Sequence, residues 1–342
     1  MAGKASRSGV IFRPHFKTHQ SLTIGRWFRE AGTRCITESS LVAAGYFASD
    51  GWDDITVAFP VNLREIDQIN RLASKMNIGV TLEDPAQAAE LDRQLKFPVD
   101  AYIKIDTGYH RTGLSLDEMP DITGLVERIH GGSKIRLKGL LTHAGHSYHA
   151  TSTEEIIDIY RSSVSILQAV RDNLGETDRK LILSYGDTPS CSIVDSFEGI
   201  DEIRPGNFVF YDLMQMVAGV CDFSQIAGIV VCPVVAVHPR RNQAVLYGGA
   251  VHFSKESIQL NGRNLYGQMV EMDESGWYKP IADAYLVSLT QEHGVLEAPE
   301  AIIKRLKPGA VIGIIPVHSC LTANLIRRYQ LLHGGHADYL PE

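Results

Sequence analysis

The chain has 342 residues, 44% of them hydrophobic and 21% charged, with 33 basic and 40 acidic residues giving a formal charge of −7. With a mean hydropathy of −0.06, this balance argues against a membrane protein or a disordered chain and leaves no basic footprint for nucleic acid or an anionic membrane, so the expected partner is a small molecule. The length suits one large α/β barrel with a smaller second domain.

The first elements follow a βα rhythm. From residue 9 to 222, short apolar runs alternate with segments of helical period. The runs are Val10-Ile11-Phe12, Ile55 to Phe59, Ile78 to Thr81, Ala101 to Ile105, Leu137 to Leu141 and Leu181 to Leu183, and each leads into a loop rich in Gly, Pro, His or Thr. Thr153 to Asn173 reads as a helix. This pattern predicts a (β/α) barrel, in which function gathers at the C-terminal ends of the strands. After Phe223 the texture changes to β-branched stretches, Ile226 to Val237, Gln243 to Val251, Ile281 to Thr290 and Ala310 to Pro316, with no long helix until Leu321. The expected division is therefore a barrel over residues 1–222 and a mainly β domain over residues 223–342.

Five cysteines, Cys35, Cys191, Cys221, Cys232 and Cys320, are odd in number and form no CxxC pair. Neither a disulfide framework nor a thiolate-only zinc module is indicated, and a reducing cytoplasm is the expected location. The apolar stretch before Pro14 is too short for a signal peptide.

Two short segments carry unusual chemistry. Arg13-Pro14-His15-Phe16-Lys17-Thr18-His19 sets one lysine among an arginine and two histidines, where like charges and partial burial would favour the neutral, nucleophilic amine. Alone, it reads more readily as a surface loop of mixed charge. His318-Ser319-Cys320 ends an apolar run. If that segment is extended, the imidazole and the thiolate share one face and are soft enough together for zinc. Alone, a buried cysteine beside a surface histidine is the plainer account.

The first segment resembles the RPHxKTH signature of the D-threonine aldolase and D-serine dehydratase family, fold-type III pyridoxal-phosphate enzymes related to alanine racemase. The resemblance continues in chain order through Asp106 to Gly113, Thr142 to Tyr148, Gly186 to Pro189, Arg204 to Asn207, Gln291 to Gly294 and Pro316 to Cys320. It implies an α/β fold, a pyridoxal-phosphate-binding (β/α)8 TIM-type barrel followed by a mainly β second domain.

The resemblance also implies roles. Lys17 would carry pyridoxal 5'-phosphate at the end of the first barrel strand, and Arg111 would sit beside the cofactor's phenolic oxygen. His143 would stack on the pyridine face, with Tyr148 and His146 on the same loop helping to bind ring or substrate. Thr188, Gly206 and Asn207 would form the phosphate cup. Arg204 matches the racemase-type arginine facing the pyridine nitrogen, where relatives of the dehydratase and aldolase type often carry another residue. His318 and Cys320 would hold a divalent metal, zinc or manganese. Relatives usually carry an additional strand and most of a helix before the lysine motif, whereas sixteen residues precede Lys17 here, which places Met1 inside that helix.

The resulting expectation is a metal-assisted lyase acting on a D-β-hydroxy amino acid, a homodimer with Lys17 and His143 as its catalytic groups. An amino-acid racemase, supported by Arg204, and a non-catalytic pyridoxal-phosphate-binding protein stand as alternatives. His252 and His293 are candidates to line the site from the β domain, and His333 and His336 are expected in solvent.

Overall fold

The structure, a computed structural model, describes residues 1–175 and 178–341. They form two compact units, residues 1–208 with the chain end from Leu340, and Val209–Tyr339. The units divide ahead of residue 223, where the β-branched stretches begin. The connecting segment is tied to the second unit by Met214 N–H to the Val317 carbonyl at 3.2 Å and by Ala227 N–H to the Phe210 carbonyl at 2.8 Å.

The first unit holds eight parallel strands: β1 (Ile11–Phe12), β2 (Ile36–Glu38), β3 (Asp54–Pro60), β4 (Asn77–Leu82), β5 (Val99–Lys104), β6 (Ile135–Leu141), β7 (Ile182–Tyr185) and β8 (Glu202–Ile203). They are hydrogen-bonded in the order β1-β8-β7-β6-β5-β4-β3-β2. A parallel bridge between His15 and Thr37 brings the continuation of β1 against β2, so the ring nearly closes. Every residue of β5 is buried, as expected for a parallel strand covered on both faces, which is why these strands read as apolar runs rather than alternations.

The helix Thr153–Asn173 spans the range expected from its period. The Ser152 hydroxyl accepts the Glu155 N–H, and Glu154 and Glu155 complement the helix dipole in the first turn. Its buried face, Ile156, Tyr160, Val164, Leu167 and Val170, recurs at the helical spacing.

The strands are also pinned by charge. The buried Arg13 guanidinium, just past β1, donates Nε–H to Glu202 of β8 at 2.6 Å and Nη1–H to Asp54 of β3 at 2.7 Å. Removing one partner of such a buried pair leaves an uncompensated charge and costs about 3–5 kcal/mol.

In the second unit, β9 (Val230–His238), β10 (Gln243–Tyr247), the hairpin β11 (Ile258–Leu260) and β12 (Arg263–Leu265), β13 (Gly267–Asp273), β14 (Gly276–Leu289), β15 (His293–Glu297) and β16 (Val311–Pro316) follow in order. Six of them close an antiparallel barrel in the order β10-β15-β14-β13-β16-β9. Along β9, Val230, Cys232 and Val234 point into the core and Val231, Pro233 and Val235 outward, the period of two that marks a strand with one solvated face. The apolar stretch from Gln243 stops being strand at Tyr247. Gly248 and Gly249 turn the chain there, and Ala250–Phe253 is helical. No helix among the described residues is long and apolar enough to cross a membrane.

Candidate active site

Lys17 lies in a single 3-10 turn, Phe16–Thr18, directly after β1. Phe16 anchors the turn: it is fully buried, with its ring about 5 Å from those of Phe28, Phe47 and Trp52. His15 caps it, Nδ1 accepting the Lys17 N–H at 3.4 Å, while the His15 N–H is given to the Pro205 carbonyl at 2.9 Å. The Lys17 side chain is thereby left exposed on a turn whose backbone is fixed.

Arg111 lies in the loop after β5. One oxygen of Asp106 accepts the N–H groups of Gly108, Tyr109 and His110 at 2.9 to 3.0 Å, winding the loop tightly. Gly113, at a φ of +110°, lets the chain return against β5: a Cβ there would lie 2.6 Å from the Asp106 nitrogen. The Arg111 guanidinium rests over the Tyr109 ring at 4.9 Å.

His143 follows β6. Its Nδ1 lies 2.6 Å from the Gly186 carbonyl, which assigns the proton to Nδ1 and leaves Nε2 unprotonated in the neutral ring. Tyr109 meets it edge-on at 5.8 Å, and Tyr148 lies at 6.4 Å. The Tyr148 hydroxyl accepts the Thr188 N–H at 3.3 Å, and Thr188 Oγ1 accepts the Phe208 N–H at 3.3 Å, so Tyr148, Thr188 and the Gly206-Asn207 turn come together. Gly206 packs so closely on the lysine turn that a Cβ would sit 2.9 Å from the His15 carbonyl oxygen and 3.2 Å from Thr18 Oγ1. The turn carrying Lys17 and the turn carrying Asn207 are thus held back to back, and only glycine permits it.

Arg204, at the end of β8, is buried. Its Nε–H goes to Ser184 Oγ at 2.7 Å and Nη2 to the Thr142 carbonyl, while Ser184 in turn donates to Glu202 at 2.7 Å. Burial pushes its pKa down to about 10, against the pull of Glu202.

The mouth is electropositive, but its imidazoles are neutral chiefly because they are buried. Burial holds His143 well below the ordinary histidine value, assisted by the charges of Lys17, Lys104 and Arg111. His15 is lowered in the same way by burial, Lys17 and Arg204. Two groups here escaped the sequence reading. Lys104, the last residue of β5, is brought down to about 7 by burial and by Arg204 and Arg111, with Glu83 opposing. Glu38, the last residue of β2, is raised to about 8 by burial, with the Ser39 backbone and Lys17 opposing. The available signal was a charged residue closing a barrel strand; at Glu38 it was hidden because β2 is three residues long.

These residues suit a phosphorylated aldehyde cofactor: an amine on a fixed turn, a flanking guanidinium, neutral imidazole and phenol rings, and a cluster of backbone N–H and hydroxyl groups at Thr188 and the Asn207 turn. Placed at the barrel mouth are Lys17, Arg111, His143, Tyr148, Thr188, Arg204, Gly206 and Asn207, with His146 on the loop between His143 and Tyr148.

His318 and Cys320 belong to the second unit. They lie at a strand-to-helix junction rather than in one extended run: His318 is extended and caps the helix Ser319–Ile326, in whose first turn Cys320 sits. The cause is Asp212, whose Oδ2 accepts Ser319 N–H at 2.9 Å and Ser319 Oγ at 3.2 Å while its Oδ1 caps a second helix through Gln215 N–H. The two side chains still meet. Although burial opposes its charge, His318 is raised to about 9 by its hydrogen bond to Cys320 and by Asp212 and Glu256. No cluster of three or more His, Cys, Asp or Glu occurs among the described residues; what the pair brings together is one imidazole and one thiol, both groups that zinc accepts as ligands. His252 accepts the Gly249 N–H at 3.2 Å, and His293, His333 and His336 are exposed.

Comparison with known proteins matches residues 4–213 to the alanine racemase N-terminal domain and residues 227–332 to the serine dehydratase domain. The chain belongs to the family that joins these two domains. Its relatives include D-threo-3-hydroxyaspartate dehydratase of Delftia sp. (strain HT23), 30% identical over 97% of this chain and 89% of that protein. D-serine dehydratase of Dictyostelium discoideum is 28% identical over 98% and 89%. The solved Delftia enzyme superposes with a TM-score of 0.90 at 26% identity, covering 99% of this chain and 93% of the other. Solved variants of D-threo-3-hydroxyaspartate dehydratase include a cysteine-to-alanine form described as metal-free and a histidine-to-alanine form altered two positions earlier. D-threonine aldolase from Filomicrobium marinum, at 18% identity and a TM-score of 0.81 over 99% of this chain and 90% of the other, shares the fold. For this family the sequence expectation of a TIM-like barrel followed by a β domain is realised by eight parallel strands and a six-stranded antiparallel barrel.

Proposed function

We propose that this protein is a pyridoxal-phosphate- and divalent-metal-dependent lyase acting on a D-β-hydroxy amino acid, with dehydration favoured over aldol cleavage. The observation that carries this reading is the barrel mouth itself, where Lys17 stands on a fixed turn among neutral imidazoles and guanidinium groups. Dehydration is favoured because four dehydratase relatives each align in sequence over at least 95% of the chain, whereas the sequence of D-threonine aldolase of Arthrobacter sp. aligns over 62% of it.

Pyridoxal phosphate, when bound, supplies an electron-withdrawing ring that loosens the bonds at the substrate's Cα. The Thr188 N–H and hydroxyl, the Tyr148 hydroxyl and the Asn207 turn bind the phosphate. Arg111 balances the phenolic oxygen. His143, fixed by its bond to Gly186 and held neutral, offers a ring face without competing for the proton. Lys17 holds and moves the proton at Cα. Arg204, a buried cation, would face the pyridine nitrogen and keep it unprotonated, which would limit the ring as an electron sink. A metal held by His318 and Cys320 would supply Lewis acidity for a hydroxyl leaving group. Elimination of water followed by hydrolysis gives a 2-keto acid and ammonia.

The same Arg204 favours a second reading, an amino-acid racemase. A product screen of the cofactor-loaded protein with D-serine, D-threonine, D-threo-3-hydroxyaspartate and D-alanine separates the readings. Keto acid and ammonia mean dehydratase, aldehyde and glycine mean aldolase, and a change of configuration alone means racemase. The homodimer implied by the family resemblance belongs to the same proposal, and sedimentation of the loaded protein tests it.

A further inference from the structure

Asp212 is carried by a strained backbone. Tyr211, directly before it, is buried and holds a left-handed conformation at a φ of +49° although it is not glycine. Such a conformation costs free energy and persists only where the surroundings over-determine it. Here they do: the Phe210 carbonyl accepts the Ala227 N–H at 2.8 Å, and the Met214 N–H goes to the Val317 carbonyl at 3.2 Å. The strained turn sets the buried Asp212 carboxylate against Ser319, the residue between His318 and Cys320, where Oδ2 accepts the N–H at 2.9 Å and the hydroxyl at 3.2 Å. Its other oxygen accepts the Gln215 N–H at 3.0 Å, which stops the carboxylate from rotating away. The His318 carbonyl in turn accepts the Thr322 N–H at 3.2 Å, so the backbone is tied on both sides of His318. A carboxylate at the N-terminus of the helix Ser319–Ile326 also complements the helix dipole.

We propose that Asp212 is a positioning residue for the metal pair, fixing the backbone of Ser319 so that the imidazole of His318 and the thiol of Cys320 converge before a divalent ion arrives. The inference rests on the reading that His318 and Cys320 hold the metal. A free His-Ser-Cys segment would lose backbone freedom on binding an ion, whereas one already tied loses little, and the difference appears as metal affinity. Groups that orient metal ligands in this way are worth roughly tenfold to a hundredfold in affinity. Asp212 acts through Ser319.

The test titrates cobalt into the cofactor-loaded protein after chelation, reading the cobalt ligand-field bands, which lie at longer wavelength than the cofactor's absorbance and report how the ligands are arranged. Asp212→Asn keeps one oxygen for the Gln215 N–H and turns an amide NH2 towards the Ser319 N–H. It is expected to bind cobalt roughly tenfold to a hundredfold more weakly, with altered bands at saturation and the cofactor's absorbance unchanged. Ser319→Ala, which removes only the hydroxyl, should weaken cobalt about fivefold, the worth of one hydrogen bond. Wild-type affinity and bands in Asp212→Asn overturn the inference, and so does a parallel loss of cobalt and cofactor, which would make Asp212 a general support of the fold. If Asp212→Asn does not fold, unchanged cobalt affinity in Ser319→Ala overturns it as well. His318→Ala and Cys320→Ala separate the two claims: bands that survive in both overturn the reading of the metal pair and leave nothing for Asp212 to position.

Discussion

Arg204 donates its Nε–H to the Ser184 hydroxyl at 2.7 Å, so the buried guanidinium meets the carboxylate of Glu202 only through that hydroxyl. Glu202 also binds Arg13 directly at 2.6 Å. One carboxylate therefore serves two buried arginines, one at the wall of the barrel and one at its mouth. Glu202→Gln should destabilise the protein by about 3–5 kcal/mol, because Arg204 loses the nearby carboxylate charge and Arg13 is left with Asp54 alone. Ser184→Ala should cost about 1–3 kcal/mol, the worth of a buried donor left without its acceptor. Denaturant unfolding of the two variants checks the order, and a smaller loss for Glu202→Gln than for Ser184→Ala would show that the carboxylate is not the hub.

Lys17→Ala should abolish the borohydride-reducible adduct with pyridoxal phosphate and leave the unfolding free energy within about 0.5 kcal/mol of wild type, since the side chain is exposed and the turn is held by its backbone and by Phe16. Peptide mapping of the reduced wild-type protein should find the label on Lys17. A label on Lys104 would move the anchor to β5.

Thr188→Ala and Tyr148→Phe should each weaken cofactor retention by about 1–2 kcal/mol, roughly tenfold in dissociation constant, because each removes one hydroxyl from the phosphate cluster and keeps the Thr188 N–H. Equilibrium dialysis of pyridoxal phosphate measures this. Unchanged retention in both would remove that turn from the phosphate site.

Much of this was legible in the sequence, for physical reasons. Buried parallel strands leave apolar runs, and the six runs quoted fall on β1 and β3 to β7. Strands β2 and β8, three and two residues long, are too short to leave a pattern. Lys17, Arg111, His143 and Arg204 stand out because they follow strand ends in recognisable motifs. Glu38 and Lys104 do not, since what makes them unusual is burial next to other charges, and that exists only once the strands are side by side. The junction at His318 was likewise invisible, because Asp212, which caps it, is more than a hundred residues away in sequence.

Glu38 also makes a prediction about the cofactor-free protein. Its folded pKa of about 8 lies above the ordinary value of 4.5, so between these limits the folded state binds more protons than the unfolded one. The contribution of Glu38 to stability is therefore lost as pH rises through that window. Lys104 acts in the opposite direction at higher pH, since its proton affinity is lowered on folding. Glu38→Gln should gain stability relative to wild type as pH rises from 5 to 8. Parallel stability curves for the two proteins across that range would mean that the carboxylate ionises freely.

The most direct measurement is turnover of D-serine and D-threo-3-hydroxyaspartate by the cofactor-loaded protein, followed as ammonia release, in the presence of a strong chelator and after zinc or manganese is added back. The account predicts that chelation abolishes release, that the metal restores it, and that His318→Ala and Cys320→Ala stay inactive under both conditions with the cofactor's absorbance intact, because a single remaining donor does not hold a divalent ion against water. Full ammonia release under chelation, in wild type and in both variants, would contradict the metal-assisted mechanism and leave a metal-independent dehydratase in its place.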